Sequence, residues 1–404
     1  MLSVLSRRNV LLSAAVTSIG AKPFYLQASS KKRKVGVVGG GILGAAVAAF
    51  LARAGTDVIL FEKARPANGA TSKSVAWINA IVNDAPYMQL RSKSLAAWHE
   101  DDARWKMNVL WGGSINWAND SKKASLQSKA EILRQMGGKP RFISSSEITH
   151  EIPQILPGDN VQFAFETFTD GHVDPVIATY RYLEVAKEYG ASILYPCEVT
   201  KIRMQGNQCV GVETTKGEFA LDDLVVASGT DTPTLLALVD RKLTLAHKPG
   251  LVVQTTPRPF FTKKVFEASS ILEFKQYADG RFLTSFTGGP PDLPVHHDIR
   301  KSRIEYPNDA LRYQHGAMLI ERTAQYMPDI AEAQPAKILI GFRPYPLDNR
   351  PIVGWVPGIR NLYVMVTHSG VTLAPILARY ATKEILKNVN VSDLDKYRPS
   401  RFIF

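Results

Sequence analysis

The sequence predicts an α/β fold built on a parallel sheet with helices on its faces, and two observations predict it. A short apolar run, Val35-Gly36-Val37-Val38, passes through a glycine-rich turn into an alanine-rich helical stretch. That stretch leads to a second apolar run, Asp57-Val58-Ile59-Leu60-Phe61, completing a β-α-β pattern. Far along the chain, Asp223-Leu224-Val225-Val226-Ala227-Ser228-Gly229 is again apolar and ends in small residues, as expected of a strand buried on both faces. The 404 residues are enough for two domains, and 45% hydrophobic with 21% charged is ordinary globular composition.

The turn after the first strand fits G-x-G-x-x-G at Gly39, Gly41 and Gly44, and the helix is expected from Ile42 to about Ala54, closed by Gly55. Gly39 permits the tight turn, Gly41 lets a pyrophosphate approach the backbone, and Gly44 lets helix and strand pack closely. The helix N-terminus, from Ile42 and Leu43, then offers free N–H groups to phosphate charge. Glu62, followed by Lys63, stands at the end of the second strand, where an acid accepts bonds from ribose hydroxyls. Strand, helix and acid in register point to a dinucleotide site.

The net charge of +12 is not spread over the chain. Seven of the excess charges lie in the first 34 residues, at Arg7, Arg8, Lys22, Lys31, Lys32, Arg33 and Lys34, with no acid among them. The remaining body is nearly balanced, which argues against a nucleic-acid-binding face. Ser6-Arg7-Arg8-Asn9-Val10-Leu11-Leu12, followed by a short apolar run to Ile19, is similar to a twin-arginine export signal. It predicts a periplasmic protein; a mitochondrial transit peptide and a retained cytoplasmic tail are the alternatives. No run in the body is long and apolar enough to span a bilayer. Cys197 and Cys209 flank a hairpin expected around Gly206-Asn207, and their spacing leaves both a pair and two thiols open.

Several further segments, in order, carry a family resemblance. Gly69-Ala70-Thr71-Ser72-Lys73-Ser74 is a small, hydroxyl-rich loop after the ribose acid. Asp170-Gly171-His172-Val173-Asp174-Pro175 opens a helix with Asp174 as N-cap and Pro175 as its first residue. Gly341-Phe342-Arg343-Pro344, Asp348-Asn349-Arg350-Pro351-Ile352-Val353-Gly354 and Thr367-His368-Ser369-Gly370-Val371-Thr372-Leu373-Ala374-Pro375 follow. Together they resemble the D-amino acid oxidase superfamily of FAD-dependent oxidoreductases, over roughly residues 34 to 390.

That resemblance implies an FAD-binding Rossmann-like domain with a parallel sheet (34–88, 151–235 and 334–390). A mostly antiparallel β-sheet substrate domain (89–150 and 236–333) is inserted into it, between a leader (1–33) and a C-terminal tail (391–404). It implies cofactor contacts from Thr71 and Ser72, from the Val199 backbone at the adenine, and from Ala227, Ser228 and Gly229. Backbone amides of the loop Gly370, Val371, Thr372 and Leu373 are implied by the flavin pyrimidine. Thr367 departs from the usual glycine there. Arg343 is implied to bind a substrate carboxylate, and His368 to line the flavin.

The implied reaction is oxidation of a C–N bond in a small amine or amino acid by hydride transfer to flavin N5, with oxygen or a membrane quinone as acceptor. The flavin is expected to be non-covalent, since Thr71-Ser72-Lys73-Ser74 stands where histidyl-flavin relatives carry a His. Two rivals are an NAD-dependent dehydrogenase, which leaves the C-terminal segments unexplained, and a non-catalytic flavoprotein assembly factor. His172 reads as a loop residue, while Lys275 and Tyr277 fall in the strand region expected over the ring. Trp77, Asn79, Tyr87, Trp98, Trp105, Trp111 and Trp117 give an aromatic-rich stretch that reads chiefly as core, with the lining of a substrate cavity as the alternative. No G-x-S-x-G, H-E-x-x-H, C-x-x-C or Walker A sequence is present, and His296-His297-Asp298 reads as a solvated loop.

Overall fold

The computed structural model describes residues 32–286 and 308–403. Residues 1–31, which hold the twin-arginine motif and its apolar run, and the His296-His297-Asp298 run lie outside the described residues. The first β-α-β unit forms as its pattern dictates: β1 (Lys34–Val38), α1 (Ile42–Arg53) and β2 (Asp57–Phe61), with β1 and β2 parallel. Helix α1 is buried from Ile42 through Ala52. Its alanines make that possible, because small side chains let three neighbours close on one helix. On one side lies the sheet; on the others lie helices Pro175–Glu188 and Gly370–Lys387.

The parallel sheet has six strands in the order Ile352–Trp355, Leu362–Val366, Asp223–Val226, β1, β2, Ser192–Leu194, and only the first runs antiparallel to its neighbour. Alternate residues divide between its faces. Val35, Val37, Val58, Leu60 and Val225 pack on the helices. Val38, Ile59, Phe61, Leu224 and Val226 pack on Ile202, Cys209 and Val212.

The expectation of helices on both faces therefore needs correction. The second face is covered mainly by a three-stranded antiparallel sheet (Val199–Gln205, Gln208–Thr214, Gly217–Ala220), with one short helix, Thr232–Ala237. A hairpin buries an apolar face as well as a helix does, and Gly206-Asn207 gives the turn that permits one. Cys197 and Cys209 are both free thiols inside this layer.

The second sheet has eight strands in the order Pro335–Pro346, Leu245–Pro257, Arg281–Phe286, Leu272–Gln276, Val265–Ala268, Ser114–Ala118, Phe163–Thr167, Arg141–Phe142. It is antiparallel except between Val265–Ala268 and Ser114–Ala118. One face carries Trp117, Phe266, Phe274 and Phe282 into a core shared with helix Asp309–Ala324.

Its limits differ from the expected ones. Helix Ala85–Trp105 packs with the parallel-sheet core through Met88, Leu95 and Trp98, whereas strands Phe163–Thr167 and Pro335–Pro346 belong to the large sheet. Pairing across many residues sets those boundaries, and composition does not show it. Residues 391–403 pack on the body: Leu394 and Tyr397 join one core cluster and Ile403 the other.

Candidate functional site

A cavity of about 560 Å³ opens at the C-terminal ends of the parallel strands. Gly39, Gly41, Ile42 and Leu43 line it. Gly39 holds φ +109°, and a Cβ there would meet Ala227 O at 2.6 Å. Gly44 is behind the wall: a Cβ on it would lie 1.9 Å from Gly39 O, so only glycine lets helix and turn approach. The helix has no side-chain N-cap, which leaves its first amides directed at the cavity. Ile42 N donates to Thr71 Oγ1 at 3.2 Å, tying the hydroxyl loop to that terminus.

Glu62 is pinned by two backbone donors, Gly40 N to Oε2 at 2.7 Å and Ala64 N to Oε1 at 2.8 Å. Its carboxylate is thereby fixed with lone pairs to spare for ribose hydroxyls. Lys63, also in the wall, pairs with Asp231 at 2.7 Å. Val199 closes the far side, beside Cys197 and Glu198; Ala227, Ser228 and Gly229 line the cavity below the end of Asp223–Val226. Gly370 and Val371 line it at the start of an 18-residue helix whose N-cap Ser369 makes no side-chain cap bond. Two uncapped helix N-termini, a fixed acid and a turn without Cβ atoms suit a cofactor with a pyrophosphate, a ribose and an electron-accepting ring.

A second cavity, of about 340 Å³, adjoins the first. Ala70, Ser74, Pro344, His368 and Val371 line both. Its own walls add Arg343, Tyr345, Arg91, Lys129, Glu267 and Glu273. The Arg343 guanidinium lies 4.9 Å from the Tyr345 ring centroid, and its Nη2 donates to Pro249 O at 3.3 Å. Tyr345 in turn stacks on His368, centroids 4.0 Å apart at 18°. Asp348 Oδ2, five residues along from Arg343, accepts from Arg401 Nη2 at 2.8 Å.

The structure thus brings most of the sequence-derived residues to one continuous space and sets a few aside. Ser72 lines neither cavity; its hydroxyl turns back to Gly69 O at 3.3 Å within the short helical turn Ala70–Lys73. Leu373 has its side chain in the core. Thr372 faces the second cavity, not the first, and its Oγ1 donates to Trp77 O at 2.9 Å. Lys275 and Tyr277 line neither cavity. Lys275 Nζ is buried, donating to Val173 O at 2.9 Å above the Tyr277 ring. His172 is fully buried beside Tyr277, its charged form strongly disfavoured by burial and by Lys275.

Of the six residues that the second cavity adds, all but Arg343 escaped sequence reasoning: Tyr345, Arg91, Lys129, Glu267 and Glu273. Arg91 is buried and joins two segments, donating to Asn79 O at 2.9 Å, Asn79 Oδ1 at 2.7 Å and Ser369 Oγ at 2.9 Å. Its trace in the sequence is a charge on the apolar stripe Tyr87, Met88, Leu90, Ser94, Leu95, Trp98. Among the described residues, no group of three or more His, Cys, Asp or Glu side chains could hold a metal ion, and no helix is long and apolar enough to cross a membrane.

The sequence model of the FAD dependent oxidoreductase family matches residues 34–384. Over 382 residues the chain is 26% identical to glycine oxidase of Geobacillus kaustophilus, spanning 91% of this chain and 97% of that one. It is 24% identical to mitochondrial dimethylglycine dehydrogenase of Rattus norvegicus, spanning 91% of this chain and 44% of that longer one. Among solved structures, L-proline dehydrogenase from P. horikoshii superposes with a TM-score of 0.78 at 20% identity, over 92% of this chain and 98% of that one. The crystal structure of the Geobacillus glycine oxidase gives 0.78 at 23%, over 91% and 98%. At such identities the two structures speak for a common fold.

Proposed function

The chain belongs to the FAD-dependent oxidoreductase family that its residues 34–384 match, and from that premise we propose that it oxidises the C–N bond of a small amino acid or amine bound in the second cavity. The observation that carries the reading is the junction of the two cavities, with Arg343 in the wall just beyond it. Glycine, dimethylglycine and L-proline, named for the relatives, all place a nitrogen one carbon from a carboxylate.

The residues of the first cavity suit FAD. The N-terminus of α1 with Thr71 would hold the pyrophosphate, Glu62 the adenosine ribose, and the Val199 backbone the adenine. The N-terminus of helix Gly370–Lys387 would face the ring where negative charge collects. Bound there, FAD supplies acceptance of a hydride from the carbon that bears the nitrogen. The Arg343 fork holds a carboxylate by two parallel bonds and so fixes the adjacent carbon. His368, flat against Tyr345, walls the junction and sets how the two cavities meet.

The test is an anaerobic screen of amines and amino acids against the yellow holoprotein, followed by absorbance. Bleaching by a carboxylate-bearing amine is expected, and a protein that no amine bleaches is a scaffold. Admitting oxygen or a quinone analogue then reads which acceptor restores the colour. Acid precipitation should leave the colour in the supernatant, since the flavin is proposed to be non-covalent; a yellow pellet overturns that point. We also read residues 1–33 as a twin-arginine leader directing the protein to the periplasm, on the strength of Arg7-Arg8 and the apolar run behind them. Replacing both arginines with lysine should hold the precursor in the cytoplasm; unchanged fractionation overturns it.

A further inference from the structure

Four adjoining strand pairs of the large sheet place five residues in one lateral row. Val252 lies opposite Ser285, Ser285 opposite Glu273, Glu273 opposite Glu267, and Glu267 opposite Asn116. Residues paired across neighbouring strands share a face. Phe266 and Phe274 take the other face into the outer core, so Glu267 and Glu273 look into the second cavity. Like charges in directly opposed positions repel. The pair nevertheless stands in one cavity, where Lys129 forms an ion pair with Glu267 at 3.8 Å. Glu273, half-buried in the cavity wall, accepts a hydrogen bond from no described residue, and a carboxylate partly removed from water without a donor is costly. Burial, with Glu267 opposite it on the adjoining strand, pushes the Glu273 carboxyl up to about 7; Arg343, Lys129 and Arg91, from three other elements, oppose that rise.

An amino acid reaches the cavity as a zwitterion. Arg343 suits its carboxylate, and its ammonium then needs an acceptor. Hydride departure from the neighbouring carbon also needs a nitrogen with a free lone pair, so one proton must leave first.

We propose that Glu273, with Glu267 beside it, is the ammonium subsite of this cavity: it receives the cationic nitrogen of a zwitterionic substrate and takes one proton from it. The inference rests on the second cavity being the substrate site. In the step an N–H bond breaks, its electron pair stays on nitrogen as the lone pair, and the proton moves to a Glu273 carboxylate oxygen; nothing is oxidised or reduced. The substrate class that follows is an amine protonated in solution and carrying a carboxylate. Amides and N-acylated amino acids, whose nitrogen bears no charge, are disfavoured.

Two probes of one shape isolate the charge: trimethylglycine, with a fixed cationic nitrogen, and 3,3-dimethylbutanoate, with carbon in its place. Each is titrated into the holoprotein and followed by the flavin absorbance shift. At pH 8 the wild type should bind trimethylglycine at least about tenfold more tightly. The preference should fade below pH 7 as Glu273 takes a proton, and Glu273→Gln should abolish it. Equal binding of both probes by the wild type, or a preference that survives in Glu273→Gln, overturns the proposal while leaving the substrate site intact. If neither probe shifts the spectrum, the reading of the cavity falls, and the proposal with it.

With a substrate from the screen, Glu273→Gln should reduce flavin only as the pH approaches the free amine's own ionisation; an unchanged pH profile overturns the proton transfer. Should Glu273→Gln lose its flavin, Glu267→Gln carries the test. Removing the facing charge should move the pH at which the preference fades downward, and an unmoved midpoint counts against the pair.

Discussion

The first cavity takes its walls from loops at the ends of neighbouring parallel strands, and much of its polarity is backbone: amides at the start of α1, amides at Gly370 and Val371, and an acid fixed by Gly40 and Ala64. The second is walled by charged side chains from distant segments, with Arg91 on a helix, Glu267 and Glu273 on adjoining strands and Arg343 on a fourth element. Backbone groups held by a turn are nearly insensitive to side-chain drift, which suits a cofactor common to a family. Side chains gathered from a wide sheet can be exchanged singly, which suits a substrate that differs between relatives. The difference teaches that changes in the first cavity should release the cofactor, whereas changes in the second should leave it bound and alter what reacts.

The largest expected effect tests the first half. Gly44→Val places carbon where only 1.9 Å separates a Cβ from Gly39 O, so turn and helix must part. Loss of bound flavin, read as the 450-to-280 nm absorbance ratio on the order of zero, and a destabilisation of more than about 3 kcal/mol are expected. A yellow, stable variant breaks the comparison at its firmest point.

Arg343→Ala tests the other half. It should keep flavin and fold and lose about 2–5 kcal/mol in kcat/KM for a carboxylate-bearing substrate, with Arg343→Lys also poor. Unfolding or flavin release would make Arg343 structural; an unchanged rate of flavin reduction would make a simple amine the substrate.

Next comes a stability effect with a definite sign. The Glu273 carboxyl is raised from its ordinary range to about 7, so the folded protein disfavours its ionisation. That penalty is absent below the unfolded value and complete above the folded one. Glu273→Gln should therefore stabilise the holoprotein by up to about 3 kcal/mol at pH 8 and by little at pH 4.5, measured as denaturation midpoints at the two pH values. Equal midpoint shifts at both pH values would show that Glu273 is not the titrating group.

The smallest effect sharpens the backbone claim. Thr71→Val removes the acceptor for Ile42 N, an amide that a bound phosphate can also meet. A loss of about 1 kcal/mol, or about fivefold in FAD Kd, is expected. A loss of hundreds-fold would mean that the hydroxyl, and not the helix terminus, holds the cofactor.

The sequence by itself determined the β-α-β unit to within a residue, the Asp174 N-cap, the helix from Pro175 and the strand from Asp223, which stops at Val226, three residues before the expected Gly229, because each rests on groups a few residues apart. Gly39, Gly44 and Glu62 were legible for the same reason: turn geometry, close packing and strand-end position are local demands that few residue types meet. Arg343 and His368 were placed by resemblance, and their neighbours show why residue type alone is not enough.

In Leu272-Glu273-Phe274 the alternation says that Glu273 lies on the face opposite Phe274, yet it does not say whether that face meets water or a cavity. Only the tertiary structure decides it, by setting the sheet against the loops Ala70–Ser74 and Thr367–Val371. The same holds for Arg91, a charge on an apolar stripe until Asn79 and Ser369 close around it. It holds too for the hairpin layer that covers the second face of the parallel sheet. A period of two or of 3.6 fixes which side of an element a residue takes; what lies on that side is fixed by contacts across hundreds of residues.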